Sequence, residues 1–499
     1  MKKILMIISV FMVFASCSKL EDLNQNTKDP SVVTGETLFT GAQKNLFDQM
    51  VSTNVNNNVF RLFAQYWTET TYYDEAKYNL TNRSIPDNHW DRLYLKVLKN
   101  LDQASKFLKE NVNPLEDPAI LKNKLAIIEA LNVYTYSVLV ESFGDVPYSG
   151  AINTSLNSQA LNIDIPLPKY DKGLDIYVDL ITRINLSISN MDAAAESFGT
   201  ADNMYGGDVA SWIKFANSLK LRMGMLLSDV NPTLAKTTVE AAAPNVFSSN
   251  ADNARIVYLS SSPNANPIYV DLVSSGRHDF VPANTIVDAM NGLNDPRRPF
   301  FFTLKDTSTV PGTYPAVYIG GTYGIYNRYS KFSHVAGAIQ DPTFEGTILD
   351  YAEVEFLLAE AAENSFAVGG TAESHYNAGI TASITYWGGT VTDANTYLAQ
   401  ASVAYTTATG TFKQKIGTQK WIAMYNRGFE GWQSWRKFDF PVLVAPPGAF
   451  SDVPVRYTFP IAEQTLNGVN FTAAAASINL QSITPNGDAV STKLFWDKY

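Results

Sequence analysis

Cysteine is almost absent from this chain: Cys17 is the only one in 499 residues. An internal disulfide is therefore excluded, and so is a cysteine nucleophile anywhere else in the chain. Histidine is scarce too, and His89, His278, His334 and His375 are scattered without the spacing of a zinc site. No stretch reaches eighteen uninterrupted apolar residues, so no membrane-spanning helix is expected. Basic side chains number 38 against 48 acidic ones, a formal net charge of −10. A surface of that sign repels phosphate backbones, which removes nucleic acid and anionic lipid from the expected partners. No Gly-Lys-Ser/Thr follows Gly320-Gly321-Thr322-Tyr323-Gly324, and no EF-hand loop is present, so neither a nucleotide nor a regular calcium site is expected. No cofactor or metal is implied.

What the chain does have begins at its N-terminus. Lys2 and Lys3 precede an apolar run from Ile4 to Phe14, and Phe14-Ala15-Ser16-Cys17 supplies small residues before the cysteine. Eleven apolar residues are too few for a span, so residues 1–16 read as an export signal. The Phe-Ala-Ser-Cys string resembles a bacterial lipobox, which implies cleavage before Cys17 and acylation of that residue. Two or three acyl chains make a durable anchor where one is marginal. Residues 17–30 are polar, as a flexible tether should be; Glu21-Asp22 fits either a plain tether or the acidic surface-export signal of Bacteroidetes-type lipoproteins. Residues 31–499 then form one ectodomain.

Apolar residues at spacings of three and four predict eight helices. They run from Asp87 to Asn113, Ala119 to Ser142, Tyr177 to Met191, Trp212 to Leu226, Tyr351 to Ala361, Tyr376 to Trp387, Phe412 to Tyr425 and Phe429 to Phe438. Adjacent pairs of this kind suit stacked helical hairpins of the tetratricopeptide type, although no fixed period near 34 residues survives. Trp212, Trp432 and Trp435 sit at helical spacings and are expected in the core. The interval 230–349 breaks the rhythm and is rich in Pro, Gly, Asn and Tyr, the mark of a functional loop insertion.

Two aromatic-rich stretches outside the helices carry the functional signal. The first holds Trp67, Tyr72, Tyr73, Tyr78, Asn82 and Arg83, and the second Tyr323, Tyr326, Arg328 and Tyr329. A sugar ring has a C–H face that packs on an aromatic ring and a rim of hydroxyls that needs forked donors and acceptors. These ten residues have that inventory, and the two stretches are expected to meet in space. A glycosidase would need two carboxylates about 5 to 10 Å apart. Among 48 acidic side chains that signal is nonspecific, and Asp74 with Glu69 or Glu75 is the pair to inspect.

Several strings resemble the SusD/RagB family, in particular its RagB-like second subgroup. They are Phe143-Gly144-Asp145-Val146-Pro147-Tyr148, Ala216-Asn217-Ser218-Leu219-Lys220-Leu221-Arg222, Tyr351-Ala352-Glu353-Val354-Glu355-Phe356, Tyr376-Asn377-Ala378-Gly379-Ile380, Gln419-Lys420-Trp421-Ile422-Ala423, Val453-Pro454-Val455-Arg456 and Phe495-Trp496-Asp497. The resemblance implies a mainly α fold of four tetratricopeptide-like helix pairs with long irregular loops. It also implies a non-enzymatic outer-membrane lipoprotein facing the cell exterior. Such proteins lid a SusC-like TonB-dependent transporter and pass it oligosaccharides, or in some members peptides. A surface-anchored glycoside hydrolase is the alternative of another class. Glu353, Glu355 and Glu360 are expected to serve helix surfaces and caps.

Overall fold

The computed structural model describes residues 33–306 and 316–499. The expected signal, the tether and Cys17 lie outside the described residues, and so does Tyr314 in the long insertion. Helix accounts for 52% and strand for 5%, so helices form the scaffold and strands only clamp loops to it.

Thirteen helical elements suffice to describe the frame. They are α1 (Gly35–Val51), α2 (Ile85–Asp91 continued by a π-type segment Arg92–Leu98 and by Lys99–Glu110), α3 (Pro118–Phe143), α4 (Gly173–Asn190), α5 (Val209–Leu226), α6 (Pro232–Ala242), α7 (Asn284–Gly292), α8 (Tyr351–Glu363), α9 (Ala372–Tyr386), α10 (Val391–Leu398), α11 (Phe412–Ala423), α12 (Gly428–Phe438) and α13 (Gly468–Gln481). Eight of them start on a side-chain oxygen that accepts from a first-turn amide: Thr34, Asp117, Asp208, Asn231, Asp350, Thr371, Thr390 and Thr411 do this for α1, α3, α5, α6, α8, α9, α10 and α11. Each such cap is worth about 1 kcal/mol. Gly144, at φ +89°, ends α3 where an L side chain would be strained.

The eight helices expected from apolar spacing are α2 to α5, α8, α9, α11 and α12. Neighbouring helices pack as α1 on α2, α3 on α4, α8 on α9 and α11 on α12, with α5 bridging α4 and α8. The first pair therefore uses α1, which the eight did not include. Its core face mixes Phe39, Leu46, Phe47 and Met50 with buried Gln43 and Gln49, which breaks the apolar pattern. The interval 230–349 is not structureless. It carries α6 and α7 and three short strands, β2 (Ala254–Ile256), β3 (Phe280–Pro282) and β4 (Gly346–Leu349). β4 pairs antiparallel with β2, and β3 with β1 (Trp67–Glu69), setting Trp67 opposite Pro282 and Glu69 opposite Phe280.

The strings that carry the family resemblance form the buried frame. Arg222 of α5 grips Glu353 of α8 with two bonds of 2.8 and 2.7 Å, and Arg427 adds a third at 2.7 Å. Burial alone would raise the Glu353 carboxyl, but the two guanidinium groups hold it down at about 2. Glu360 is buried beside Lys437, and Glu355 meets His375 at 2.6 Å. These glutamates are therefore interior ion-pair partners rather than surface or capping groups. An α-helical scaffold this thick has no solvent-facing side at α8, which is why the expectation fails. Trp212 and Trp432 are fully enclosed and Trp435 nearly so.

Candidate binding site

On both sides of β1, up to the start of α2, the chain turns sharply. Gln65, Tyr72, Tyr78 and Ser84 all adopt positive φ, at 52°, 54°, 69° and 50°. Non-glycine residues held there cost on the order of 1 kcal/mol or more each, and such strain concentrates at binding loops. The loop is fixed by its surroundings: Gln65 donates to the Val444 carbonyl at 2.8 Å and accepts from Thr285 at 3.0 Å. Because β1 is paired with β3, the segment 271–280 is drawn against this loop. The Asn-rich turn 53–56 after α1 closes a third side.

A polar pocket of about 250 Å³ lies between these three segments, with Glu69, Tyr72, Arg83, Asp271, Arg277 and Asp279 among its walls. Thr53 donates to Asp271 at 2.9 Å, and the Arg277 guanidinium holds Asp279 at 2.5 Å. Arg83 binds Glu75 directly behind the pocket and reaches Asn56 at 3.4 Å. Burial, and then the neighbouring Glu75, push the Glu69 carboxyl well above its ordinary value. Glu75 Oε2 is itself buried without a hydrogen-bond partner. Burial also raises Asp271, against the pull of Thr53 and Arg61. Hydroxyls, amides, two guanidinium groups and carboxyls thus line one small opening.

The second stretch reaches the same place. Gly320 and Gly321 lie so close to the β3–α7 junction that a Cβ on Gly320 would sit 2.5 Å from Asn284 Cα. Asn327 donates to the Glu69 carbonyl at 3.2 Å, and Gly324 N–H to Thr68 at 3.1 Å. Tyr329 is sandwiched between the His278 ring at 4.4 Å and the His334 ring at 3.8 Å, both within 15° of parallel. His278 in turn accepts a 2.5 Å bond from Thr70 through its carbonyl. Burial, with Lys305 and His278 nearby, keeps His334 below its ordinary value. Among the described residues no group of three His, Cys, Asp or Glu is placed to hold a metal ion.

The ten residues singled out in the sequence divide sharply. Tyr72 and Tyr326 are 67% and 63% exposed, Asn82 and Arg328 are exposed, and Tyr73, Arg83 and Tyr329 are half-buried. Lys77 covers the Tyr73 ring at 4.8 Å. Trp67, Tyr78 and Tyr323 are a correction. Trp67 is 1% exposed because strand pairing turns its indole inward onto Phe280, Arg61 and the Tyr425 hydroxyl. Tyr323 packs on Tyr78 at 6.3 Å and donates to the Leu62 carbonyl at 2.6 Å. The two stretches do touch, but through these buried rings. Asn54, Asn56, Asp271, Arg277, His278 and Asp279 were missed. Only the polar runs Thr53–Asn58 and Ser274–Asp279 in the sequence hint at them, and nothing in it joins the two.

Of the glycosidase candidates, Asp74 is exposed, while Glu69 and Glu75 are buried, Glu69 accepting from the Ala76 N–H at 2.9 Å and Glu75 paired with Arg83.

With that geometry in place, residues 27–460 match the model of a SusD-like family whose description is "Starch-binding associating with outer membrane". The chain belongs to the SusD-like family. Its fold recurs in a solved chitin-binding protein at TM-score 0.78 and 24% identity, covering 93% of this chain and 100% of that one. It recurs in a chitin-binding SusD homologue from Flavobacterium johnsoniae at TM-score 0.72 and 24% identity, covering 92% and 98%. A SusD homologue from Bacteroides uniformis gives TM-score 0.73 at 25% identity, covering 93% and 99%. No curated protein matches this sequence. No described helix of this SusD-like chain is long and apolar enough to cross a membrane.

Proposed function

We propose that this SusD-like protein captures oligosaccharides at the outer surface of the outer membrane and passes them to a SusC-like TonB-dependent transporter. The observation that carries the reading is the polar pocket rimmed by Tyr72, with Tyr329 stacked on His278 next to the lining residues Arg277 and Asp279. Exposed rings offer faces for sugar C–H groups, and Arg83, Arg277, Asp279 and the asparagines offer the hydroxyl-binding rim. Family membership and the chitin-binding relatives support a glycan as ligand. The protein acts by binding, without catalysis, a reading supported by the burial of Glu69 and Glu75 and the pairing of Glu75 with Arg83. Acyl chains on Cys17 anchor it, and residues 17–30 act as the tether.

The test is a glycan array probed with the chain lacking residues 1–17, alongside a peptide mixture. Retention of glycans without release of reducing ends is expected. Retention of peptides alone would replace the sugar with a peptide, and steady release of reducing ends would make the protein a hydrolase.

A further inference from the structure

A second opening shares no residue with the pocket above. It is a groove of about 700 Å³ where β2, the segment 336–345 and the C-terminal end of α9 meet. Its floor is aromatic. Trp387 is partly exposed, and its inner side is held by Phe301 at 4.8 Å in an edge contact. Phe301 is itself stacked on buried Tyr425 at 4.3 Å, so the indole is fixed in place. Phe344 lies 6.1 Å away and within 20° of parallel to Trp387. Phe300 adds a third ring, admitted by Gly388. That residue sits at φ +102°, and a Cβ there would come 3.0 Å from the Phe300 ring.

The edge of the groove is polar and already organised. Arg255 and Glu345 form an ion pair, and Glu345 also accepts a 2.7 Å bond from the Tyr386 hydroxyl. Such a rim presents guanidinium donors and carboxylate lone pairs in fixed positions, and with Asp341, which accepts from Thr343 at 2.8 Å, it sets two carboxylates against one guanidinium. An anionic ligand is disfavoured there. A neutral ring with an apolar face and a hydroxylated edge fits both the floor and the rim, and the volume lies in the range of built ligand sites.

The geometry points to a second saccharide site in this groove, one that holds a pyranose unit of a neutral polysaccharide on Trp387 and Phe344, with Arg255 and Glu345 at the hydroxyls. It rests on the glycan-binding reading and extends it, because two separated sites on one rigid body let a long chain engage both and bind more tightly than a short one.

Affinity electrophoresis in gels containing soluble starch or glycol chitin tests this on the chain lacking residues 1–17. Trp387→Ala and Arg255→Gln should each weaken retardation by the bound polymer on the order of three- to tenfold. Arg255→Gln keeps the aromatic packing and so guards against a folding artefact, which thermal melting checks. In a background of Tyr72→Ala, which removes a ring of the first site, residual retardation should vanish when Trp387→Ala is added. If the parent protein is retarded but neither groove variant differs from it, the second site is refuted and glycan capture stands. If the parent is retarded by neither polymer, both readings fall.

Discussion

Replacing Trp67 by alanine removes an indole that is 1% exposed, its 2.9 Å hydrogen bond to the Tyr425 hydroxyl, and its contacts with Phe280 and the Arg61 guanidinium. Truncating a buried tryptophan costs about 3 to 5 kcal/mol in lost transfer energy and cavity. The stranded, buried Tyr425 hydroxyl adds about 1 kcal/mol or more. Against a typical stability of about 5 to 15 kcal/mol, Trp67→Ala should bring the fold near its limit. Trp67→Phe keeps most of the volume and should cost only about 1 to 2 kcal/mol, mainly the hydrogen bond. Guanidinium denaturation followed by far-UV circular dichroism measures both. A loss below about 1 kcal/mol for Trp67→Ala, with ligand binding abolished, would refute the packing assignment and return the indole to the ligand surface.

Glu353→Gln breaks a buried pair with Arg222 and should destabilise by about 3 to 5 kcal/mol. Because the folded carboxyl is depressed to about 2, its contribution is complete above the ordinary carboxylate range and is lost as pH falls through 2. The gap between wild type and variant in denaturant midpoint should therefore narrow below pH 4.5; a gap constant down to pH 2 would contradict this. Glu69 has the opposite sign. Its raised pKa makes stability fall as pH rises above the ordinary carboxylate range, so Glu69→Gln, which mimics the protonated acid, should flatten that slope without lowering the melting temperature at neutral pH. A strongly lowered melting temperature would show that Glu69 is ionised in the fold. Cys17→Ala should leave the fold intact and move the protein out of the detergent phase on phase partitioning; equal partitioning would remove Cys17 as the lipid site.

Local periodicity made the scaffold legible. Helices α2 to α5, α8, α9, α11 and α12 announce themselves because each buries a continuous apolar stripe, while α1 hides because Gln43 and Gln49 occupy its buried face. The site was legible only in part. Tyr72 and Tyr326 look no different in sequence from Trp67 and Tyr323, since all four are aromatics among polar neighbours. What separates them is long-range: β1 finds β3 and turns Trp67 inward, and Gly320–Gly321 lets the second stretch press Tyr323 onto Tyr78. The charged walls came from Asp271, Arg277 and Asp279, whose proximity to Glu69 exists only once that strand pair has formed.

The central claim is that the Tyr72-rimmed pocket binds glycan. Isothermal titration calorimetry of the chain lacking residues 1–17 with short chito- and malto-oligosaccharides tests it, using wild type, Tyr72→Ala and Arg277→Ala. The expected result is saturable binding by wild type to one of the two series, weakened several-fold by each substitution with melting temperature unchanged, since both side chains are largely exposed. Undiminished affinity in both variants, or heat of binding with neither series, would contradict the account.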